Sequence, residues 1–349
     1  MSAAAIRTTV VGSYPRPLWL SDPHGILFGG WHLRADILSE GQDDASTLAI
    51  RAQERLGLDL ISDGEQRRDS FVFYFSRRLG GFDFERPVAR PLRGSRHQVA
   101  MPRIVGPVRR DQPLAVDDVR FLRASTELPI KAAIAGPMTL IDTSVDEYYR
   151  GDRQTLAMDL AAAINAELLE WVAAGCDVVQ IDEPAFTRYP AWVRQWGLAA
   201  LARCLQGITA RTAVHVCYGY PGDGTKVREH GYEELLPYLV DSGFDLLSLE
   251  CAAPHLDPAL LKLCRNKEVI FGVLDIGSHQ VEDPELIRRT ALRALEYIGP
   301  DKLWLGPDCG LVLLDRSLAY AKLAAMAQGA RLARQDLLAQ RQELPGQLR

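Results

Sequence analysis

Long apolar runs are missing from this chain of 349 residues, and so is an excess of basic charge. A membrane-spanning helix needs about 20 consecutive apolar residues, and no segment approaches that length. The formal net charge is −5, whereas proteins that bind nucleic acid or anionic membranes usually carry a basic surface. The sequence therefore predicts neither a nucleic-acid nor a membrane partner.

Cysteines are few, and the six that occur are scattered along the chain. Secreted proteins that depend on disulfides have a much denser cysteine pattern. The first residues, MSAAAIRTTVVGSYP, also lack the apolar stretch of a signal peptide. We therefore expect a cytoplasmic protein whose thiols are reduced and available for metal binding.

Short β-branched or aliphatic runs alternate with longer amphipathic segments, which indicates strands alternating with helices. Eight such units in one chain favour a closed (β/α)8 TIM barrel over an open doubly wound sheet. No GxGxxG or GxxxxGK[ST] motif follows any run, which removes the usual ligand signatures of the open sheet. The predicted strands are 6–12, 59–64, 130–136, 177–182, 212–217, 245–250, 269–275 and 302–306, and the predicted helices are 44–57, 153–175, 232–243, 283–299 and 315–336.

We expect a single barrel domain over residues 1–340 and a flexible tail over 341–349. Two segments interrupt the regular alternation, 14–43 and the basic, proline-containing 80–113. Neither has enough apolar periodicity for a core of its own. Both are predicted to be long loops on the barrel.

Side chains that bind metals follow several predicted strands. His215 and Cys217 are two residues apart on one strand, so both point to the same face. Glu250 closes the next strand and Cys309 follows the last one, and the carboxyl ends of barrel strands meet at one face. An imidazole, two thiolates and a carboxylate suit tetrahedral zinc. We therefore predict a zinc site at these four residues.

Alternatives remain for each of these residues taken singly. A lone cysteine is often a small buried apolar residue, and a histidine on a strand often belongs to the core. Cys251 competes with Glu250, but as its neighbour on a strand it should face the helix layer. No paired CxxC spacing occurs in the sequence, which favours a zinc site with an exchangeable position over a structural one. Such a site can hold a thiol as the nucleophilic thiolate, so the pattern indicates alkyl transfer to sulfur.

Carboxylates end two further strands, and they can either bind the ammonium of an amino acid or cap following helices. Near the N-terminus, Gly12 and Ser13 offer backbone N–H groups and a hydroxyl to a substrate carboxylate. The four acidic residues concerned are Asp63, Glu65, Asp182 and Glu183.

These ordered motifs resemble the C-terminal catalytic barrel of the cobalamin-independent methionine synthases. The matching stretches are TTVVGSYPRP, RLGLDLISDGEQRRDSFVFYF, IAGPMTL, VVQIDEPAF, HVCYGY, LSLE and LWLGPDCGL, over about residues 6–335. The resemblance implies a single-barrel, zinc-dependent methyltransferase that forms methionine from homocysteine. It implies zinc ligation by His215, Cys217, Glu250 and Cys309, and binding of the amino-acid end of homocysteine by Gly12, Ser13, Glu65 and Asp182.

Two positions depart from the family pattern. Thr143 stands where the family has a Trp that packs on the folate donor, and Gly277 stands where it has a catalytic His. We predict His279, two residues later, and Asp182 as the catalytic residues. Methylcobalamin, free or on a corrinoid protein, is the predicted methyl donor in preference to methyl-folate, because cobalt departs without a proton. The basic segment 86–110 offers a surface for such a carrier.

Two other functions remain open from the sequence. Related barrels transfer alkyl groups to other thiols such as coenzyme M, and a barrel without turnover would only bind zinc or thiols. Glu65 and Asp182 favour an amino-acid thiol over coenzyme M, because a sulfonate thiol has no ammonium for them to bind.

Overall fold

The protein, seen here as a computed structural model, is described over residues 6–22, 30–91, 98–219 and 231–343. Within these ranges its strands are β1 (Arg7–Thr8), β2 (Gly80–Pro91), β3 (Gln98–Arg109), β4 (Lys131–Ala135), β5 (Val145–Asp146), β6 (Val178–Asp182), β7 (Arg211–Val216), β8 (Leu246–Leu249), β9 (Glu268–Leu274) and β10 (Leu303–Pro307). Its α-helices are α1 (Ala35–Leu56), α2 (Phe73–Ser76), α3 (Val116–Ser125), α4 (Pro137–Asp142), α5 (Arg153–Ala173), α6 (Pro190–Trp192), α7 (Leu198–Cys204), α8 (Tyr232–Leu239), α9 (Pro284–Ala294) and α10 (Arg316–Glu343).

Parallel strands form a closed ring. Seven of them make one sheet in the order β1, β10, β9, β8, β7, β6, β4. Residues 60–61 fill the remaining position, since Thr9 bridges to Leu60 and Ile61 bridges to Ile130, both in parallel. Each of the eight predicted strands contributes to the ring, and the predicted TIM barrel is confirmed.

The barrel strands are buried along their length, which explains why they appear in the sequence as continuous apolar runs. The interior near the amino-terminal ends of the strands is filled by a separate cluster, whereas the larger core lies between the ring and the helices. The members of the interior cluster are Leu60, Val178, Ala213, Leu246, Ile270 and Trp304.

Helix ends follow local capping chemistry. Asp152 accepts a hydrogen bond from the Thr155 N–H at 3.0 Å and starts α5, while Gly57, with φ of 70°, ends α1. Helix α1 begins at Ala35, so the prediction that 14–43 is a loop was wrong for residues 35–43. Helix α10 continues past the predicted 336, and residues 344–349 of the predicted tail lie outside the described ranges. No helix in those ranges is long and apolar enough to cross a membrane, and the cytoplasmic location stays a prediction.

The prediction that 80–113 is a long loop was wrong. Strands β2 and β3 pair antiparallel as a hairpin, and β5 pairs with β3. Most of β2 is exposed or half-buried, so it lacks the apolar run of a barrel strand. Its prolines are tolerated because the hairpin lies outside the ring and β2 is an edge strand. Residues 92–97, within the predicted basic contact segment, lie outside the described ranges.

Candidate functional site

One histidine and two cysteines meet at the carboxyl ends of β7 and β10. The candidate ligand atoms of His215, Cys217 and Cys309 all lie within 4.8 Å of one another. His215 and Cys217 are buried and Cys309 is half-buried. Because β8 and β9 separate the two strands in the sheet, only the curvature of the barrel brings these side chains together.

The spacing and chemistry of this group fit zinc. The two sulfur atoms are 3.8 Å apart, which matches the roughly 3.8 Å expected for two thiolates about 2.3 Å from a tetrahedral zinc. His215 Nδ1 lies 3.0 Å from Ser248 Oγ, and its buried Nε2 makes no hydrogen bond within the described residues. Zinc-binding histidines typically present one ring nitrogen to the metal and bond the other to the protein. The interaction with Cys217, with burial, raises the pKa of Cys309 well above its usual range.

Glu250, the fourth predicted ligand, directly follows β8. Its Oε2 accepts a hydrogen bond from the Tyr218 N–H at 2.9 Å, so the carboxylate is held against the residue after Cys217. Glu250 is not part of the group within 4.8 Å, and its role as a ligand stays a prediction. Its competitor Cys251 lies in the apolar core, and its N–H donates to Asp308 Oδ1 at 2.8 Å.

Gly12 and Glu65 are in close contact. A Cβ on Gly12 would lie 2.3 Å from Glu65 Oε1, so only glycine leaves room for the carboxylate. Glu65 has φ of 56°, which is uncommon for a residue with a side chain, and it pairs with Arg68 at 3.0 Å. Burial raises the pKa of Glu65 to about 7 against the opposing effect of Arg68. Backbone strain and a shifted pKa together are typical of functional residues.

Asp182 and Ser13 lie on either side of the histidine–cysteine group. Asp182 ends β6 in register with His215 on β7, and burial raises its pKa although His215 lowers it in part. The Ser13 hydroxyl oxygen would be 2.1 Å from a Cβ on Gly310, the residue after Cys309. These two predicted substrate residues therefore lie beside the candidate metal ligands.

Lys131 is a functional candidate that the sequence analysis missed. It is buried on β4, and its Nζ donates a hydrogen bond to the Val10 carbonyl at 2.5 Å. Burial lowers the pKa of Lys131 to about 7, while Asp182 and Glu65 oppose that shift. A lysine inside a barrel strand is rarely buried without a charged partner. The lysine within the apolar run IKAAIAG could therefore have indicated a buried charged site from the sequence.

Two of the four strand-end acidic residues bond to the backbone. Glu183 accepts from the N–H groups of Met138 and Thr139, both at 2.9 Å, and so caps α4. Burial raises the pKa of Glu183 to about 8. Asp63 Oδ1 accepts from the Glu65 N–H at 3.0 Å. The helix that Glu183 caps precedes it in the chain, whereas the sequence analysis expected capping of a following helix.

The two positions that depart from the family pattern differ in burial, since Gly277 is exposed and Thr143 is buried. His279 is exposed in the segment after β9 and does not belong to the group of His215 and the two cysteines; its catalytic role stays a prediction. Gly277 is exposed, with its N–H bonded to Asp275 Oδ1 at 2.8 Å. The hydroxyl of buried Thr143 donates to the Thr139 carbonyl of its own helix at 2.7 Å.

Residues 6–332 match the family described as the catalytic domain of cobalamin-independent synthase. The chain belongs to the cobalamin-independent methionine synthase family. The predicted family resemblance is thereby confirmed, and with it the assignment to a family of methyltransferases.

Relatives within the family align over nearly the whole chain. The methionine synthase of Sulfurisphaera tokodaii is 35% identical over 331 residues, which are 95% of this chain and 93% of the relative. That of Thermococcus kodakarensis is 33% identical, over 97% of this chain and 96% of its own. The structure of a B12-independent methionine synthase from Shewanella sp. W3-18-1, in complex with selenomethionine, has a TM-score of 0.90 and 39% identity, covering 96% of this chain and 100% of that one.

Proposed function

We propose that this protein transfers a methyl group to the thiol of homocysteine and so forms methionine. The observation that carries the proposal is the group of His215, Cys217 and Cys309 beside two buried carboxylates, Glu65 and Asp182. The Shewanella relative is in complex with selenomethionine, the selenium analogue of methionine. At 39% identity, that relative supports a methionine-shaped site here.

Zinc is the proposed cofactor, with Glu250 as the proposed fourth ligand beside His215, Cys217 and Cys309. When bound by two thiolates, zinc lowers the pKa of an incoming thiol and keeps it as the nucleophilic thiolate. Nδ1 of His215 is already engaged by Ser248, which leaves Nε2 as the metal-binding nitrogen.

The protein residues orient the amino acid. Glu65 and Asp182 accept hydrogen bonds from its ammonium, and Ser13 with the backbone at Gly12 binds its carboxylate. The homocysteine thiol releases its proton to solvent, the sulfur lone pair forms the new S–CH3 bond, and the bond between the methyl group and the donor breaks with its electrons leaving on the donor. Asp182 and His279 are the proposed catalytic residues.

The proposed donor is methylcobalamin, free or carried on a corrinoid protein. Thr143 is bonded to its own helix and offers no aromatic surface to a pterin, and Gly277 supplies no proton. A methyl-cobalt bond needs neither feature, because cobalt departs without protonation. Initial rates of methionine formation from methylcobalamin and from methyltetrahydrofolate at matched concentration test this choice. Faster transfer from methyltetrahydrofolate would contradict it.

The acceptor is tested by isothermal titration of the zinc-loaded protein with homocysteine and with coenzyme M. We expect binding of homocysteine only, since its ammonium can be bound by the buried Glu65 and Asp182, whereas coenzyme M has no ammonium. Preference for coenzyme M would contradict the proposal. Growth without methionine of a strain that lacks other methionine synthases separates an enzyme from a barrel that only binds zinc or thiols.

A further inference from the structure

Three strand ends carry the proposed zinc ligands, and two buried side chains that are not ligands connect them. His215 and Cys217 belong to the end of β7, Glu250 to the end of β8 and Cys309 to the end of β10. The connecting side chains are those of Tyr232 and Asp308, both with no exposed surface.

Tyr232, the first residue of α8, connects β7 with β8. Its hydroxyl donates to the carbonyl of Val216 at 2.5 Å and accepts from the N–H of Glu250 at 2.8 Å. Val216 lies between His215 and Cys217 in the chain. Burial raises the pKa of Tyr232 well above its usual range, so the phenol keeps the proton that it donates.

Asp308 connects the end of β10 with the segment that follows β8. Oδ1 accepts hydrogen bonds from the N–H groups of Cys251 and Ala252, both at 2.8 Å, and Oδ2 accepts from Ala253 at 2.6 Å. These three residues directly follow Glu250, and Asp308 directly precedes Cys309. One carboxylate therefore fixes the backbone beside two proposed ligands.

The Asp308 side chain crosses β9 to reach residues 251–253. A Cβ on Gly272 of β9 would lie 2.1 Å from Asp308 Oδ1, so glycine is required at the crossing. The register of β10 against β9 also shifts between Gly306 and Pro307, just before Asp308. The N–H of Asp308 donates a hydrogen bond to the carbonyl of Leu274 at 3.0 Å. The local backbone is thus shaped around this contact.

We propose that Asp308 and Tyr232 are positioning residues that fix the zinc-ligand geometry before the metal binds. The inference rests on the zinc site of the proposed function. Charge-assisted hydrogen bonds from three backbone N–H groups are strong and directional. Residues that orient metal ligands in this way typically contribute about 10–100-fold to metal affinity.

The test compares zinc affinity in Asp308→Asn and Tyr232→Phe, measured by competition with a chromogenic chelator. Asn keeps the shape but places an NH2 group against backbone donors, and Phe keeps the ring but loses both hydrogen bonds. We expect about 10–100-fold weaker zinc binding in Asp308→Asn, and a smaller loss in Tyr232→Phe, which keeps the Asp308 contacts.

Asp245→Asn is the matched control. Asp245 Oδ2 accepts from the N–H and hydroxyl of Thr212 at 2.8 and 3.0 Å, at the opposite end of the barrel. The zinc affinity of the Asp245→Asn variant should equal that of the unaltered protein. This should hold even if Asp308→Asn, Tyr232→Phe and Asp245→Asn lose similar thermal stability. Unchanged zinc affinity in Asp308→Asn, or an equal loss in Asp245→Asn, would overturn the proposal.

Hydrogen exchange of the unaltered, metal-free protein gives a second measurement that does not depend on a variant folding. The amides of Cys251, Ala252 and Ala253 should be protected before zinc is added, and fast exchange there would refute the preset geometry. If the unaltered protein binds zinc tightly and the variants change zinc affinity as expected, but no methionine forms, the proposed function fails and this inference stands. If zinc does not bind the unaltered protein, both fail.

Discussion

The two ends of the barrel use acidic side chains in different environments. At the amino-terminal end, Asp59 and Asp245 accept from the N–H groups of Thr8 and Thr212 at 2.7 and 2.8 Å, in partly exposed positions. At the carboxyl end, Asp308 makes three bonds of the same kind with no exposed surface. Carboxylates thus accept hydrogen bonds from backbone N–H groups at both ends of the barrel, in contact with water at the amino-terminal end and away from water at the carboxyl end.

Burial changes what these carboxylates do. Near water, a carboxylate that accepts strand N–H groups stays hydrated and mainly stabilises the fold. Deep in the protein, burial raises the pKa values of Glu65 and Asp182 and so disfavours their ionised forms. A ligand that brings an ammonium stabilises the ionised carboxylates there. In TIM barrels the carboxyl face is the catalytic one and the amino face serves stability. The following predictions test that division.

The largest effect is expected from Cys217→Ser or Cys309→Ser. A hydroxyl is a poor ligand for zinc at neutral pH, so both variants should lose bound zinc and methyl transfer together. Metal analysis and methionine formation measure the two properties. Cys251→Ala is the control and should retain zinc; loss of zinc there would mean that Cys251, not Glu250, is the ligand.

Trp304→Ala should have a large effect at the opposite end of the barrel. Trp304 is 4% exposed and belongs to the interior cluster, so truncation should cost about 3–5 kcal/mol in the free energy of unfolding. Urea denaturation measures that loss. Zinc affinity and the KM for homocysteine of the folded fraction should be unchanged, and a change in either would contradict the division between the two ends.

Glu65→Gln and Asp182→Asn should raise the KM for homocysteine about 10-fold or more. The loss of a charged hydrogen bond to the ammonium corresponds to about 1.5–3 kcal/mol. Zinc content, measured in the same preparations, should remain that of the unaltered protein. An unaltered KM would remove these residues from the substrate site.

A smaller effect is expected from pH. Because Glu65 holds its proton up to a pKa of about 7, instead of the ordinary 4.5, its contribution to stability is complete below about pH 4.5 and is lost as pH rises through 7. Ammonium binding needs the ionised carboxylate, so the KM for homocysteine should fall as pH rises through the same range. Glu65→Gln should remove this component of the profile, and an identical profile in the variant would assign the titration elsewhere.

The hairpin and Lys131 show why parts of the structure were not predictable. Strand β2 is exposed or half-buried along its length, and the prolines of both strands suggested a loop. The pairing with β3, whose Val99 and Met101 are buried, is what the tertiary structure adds. Lys131 lies in a run that predicts a strand correctly, but its partners Glu65 and Asp182 come from distant positions in the chain. The grouping of His215, Cys217 and Cys309 was predictable, because strand ends in a barrel share one face.

The sequence by itself determined the eight strand–helix units and the positions of His215, Cys217 and Cys309 at the ends of their strands, because burial periodicity and strand alternation are local properties. Only the tertiary structure decided that the candidate ligand atoms of these three residues lie within 4.8 Å of one another. It also decided that Asp308 reaches the segment after Glu250 across Gly272. Those distances depend on ring closure and on the register between strands, which are set by packing among residues far apart in the chain.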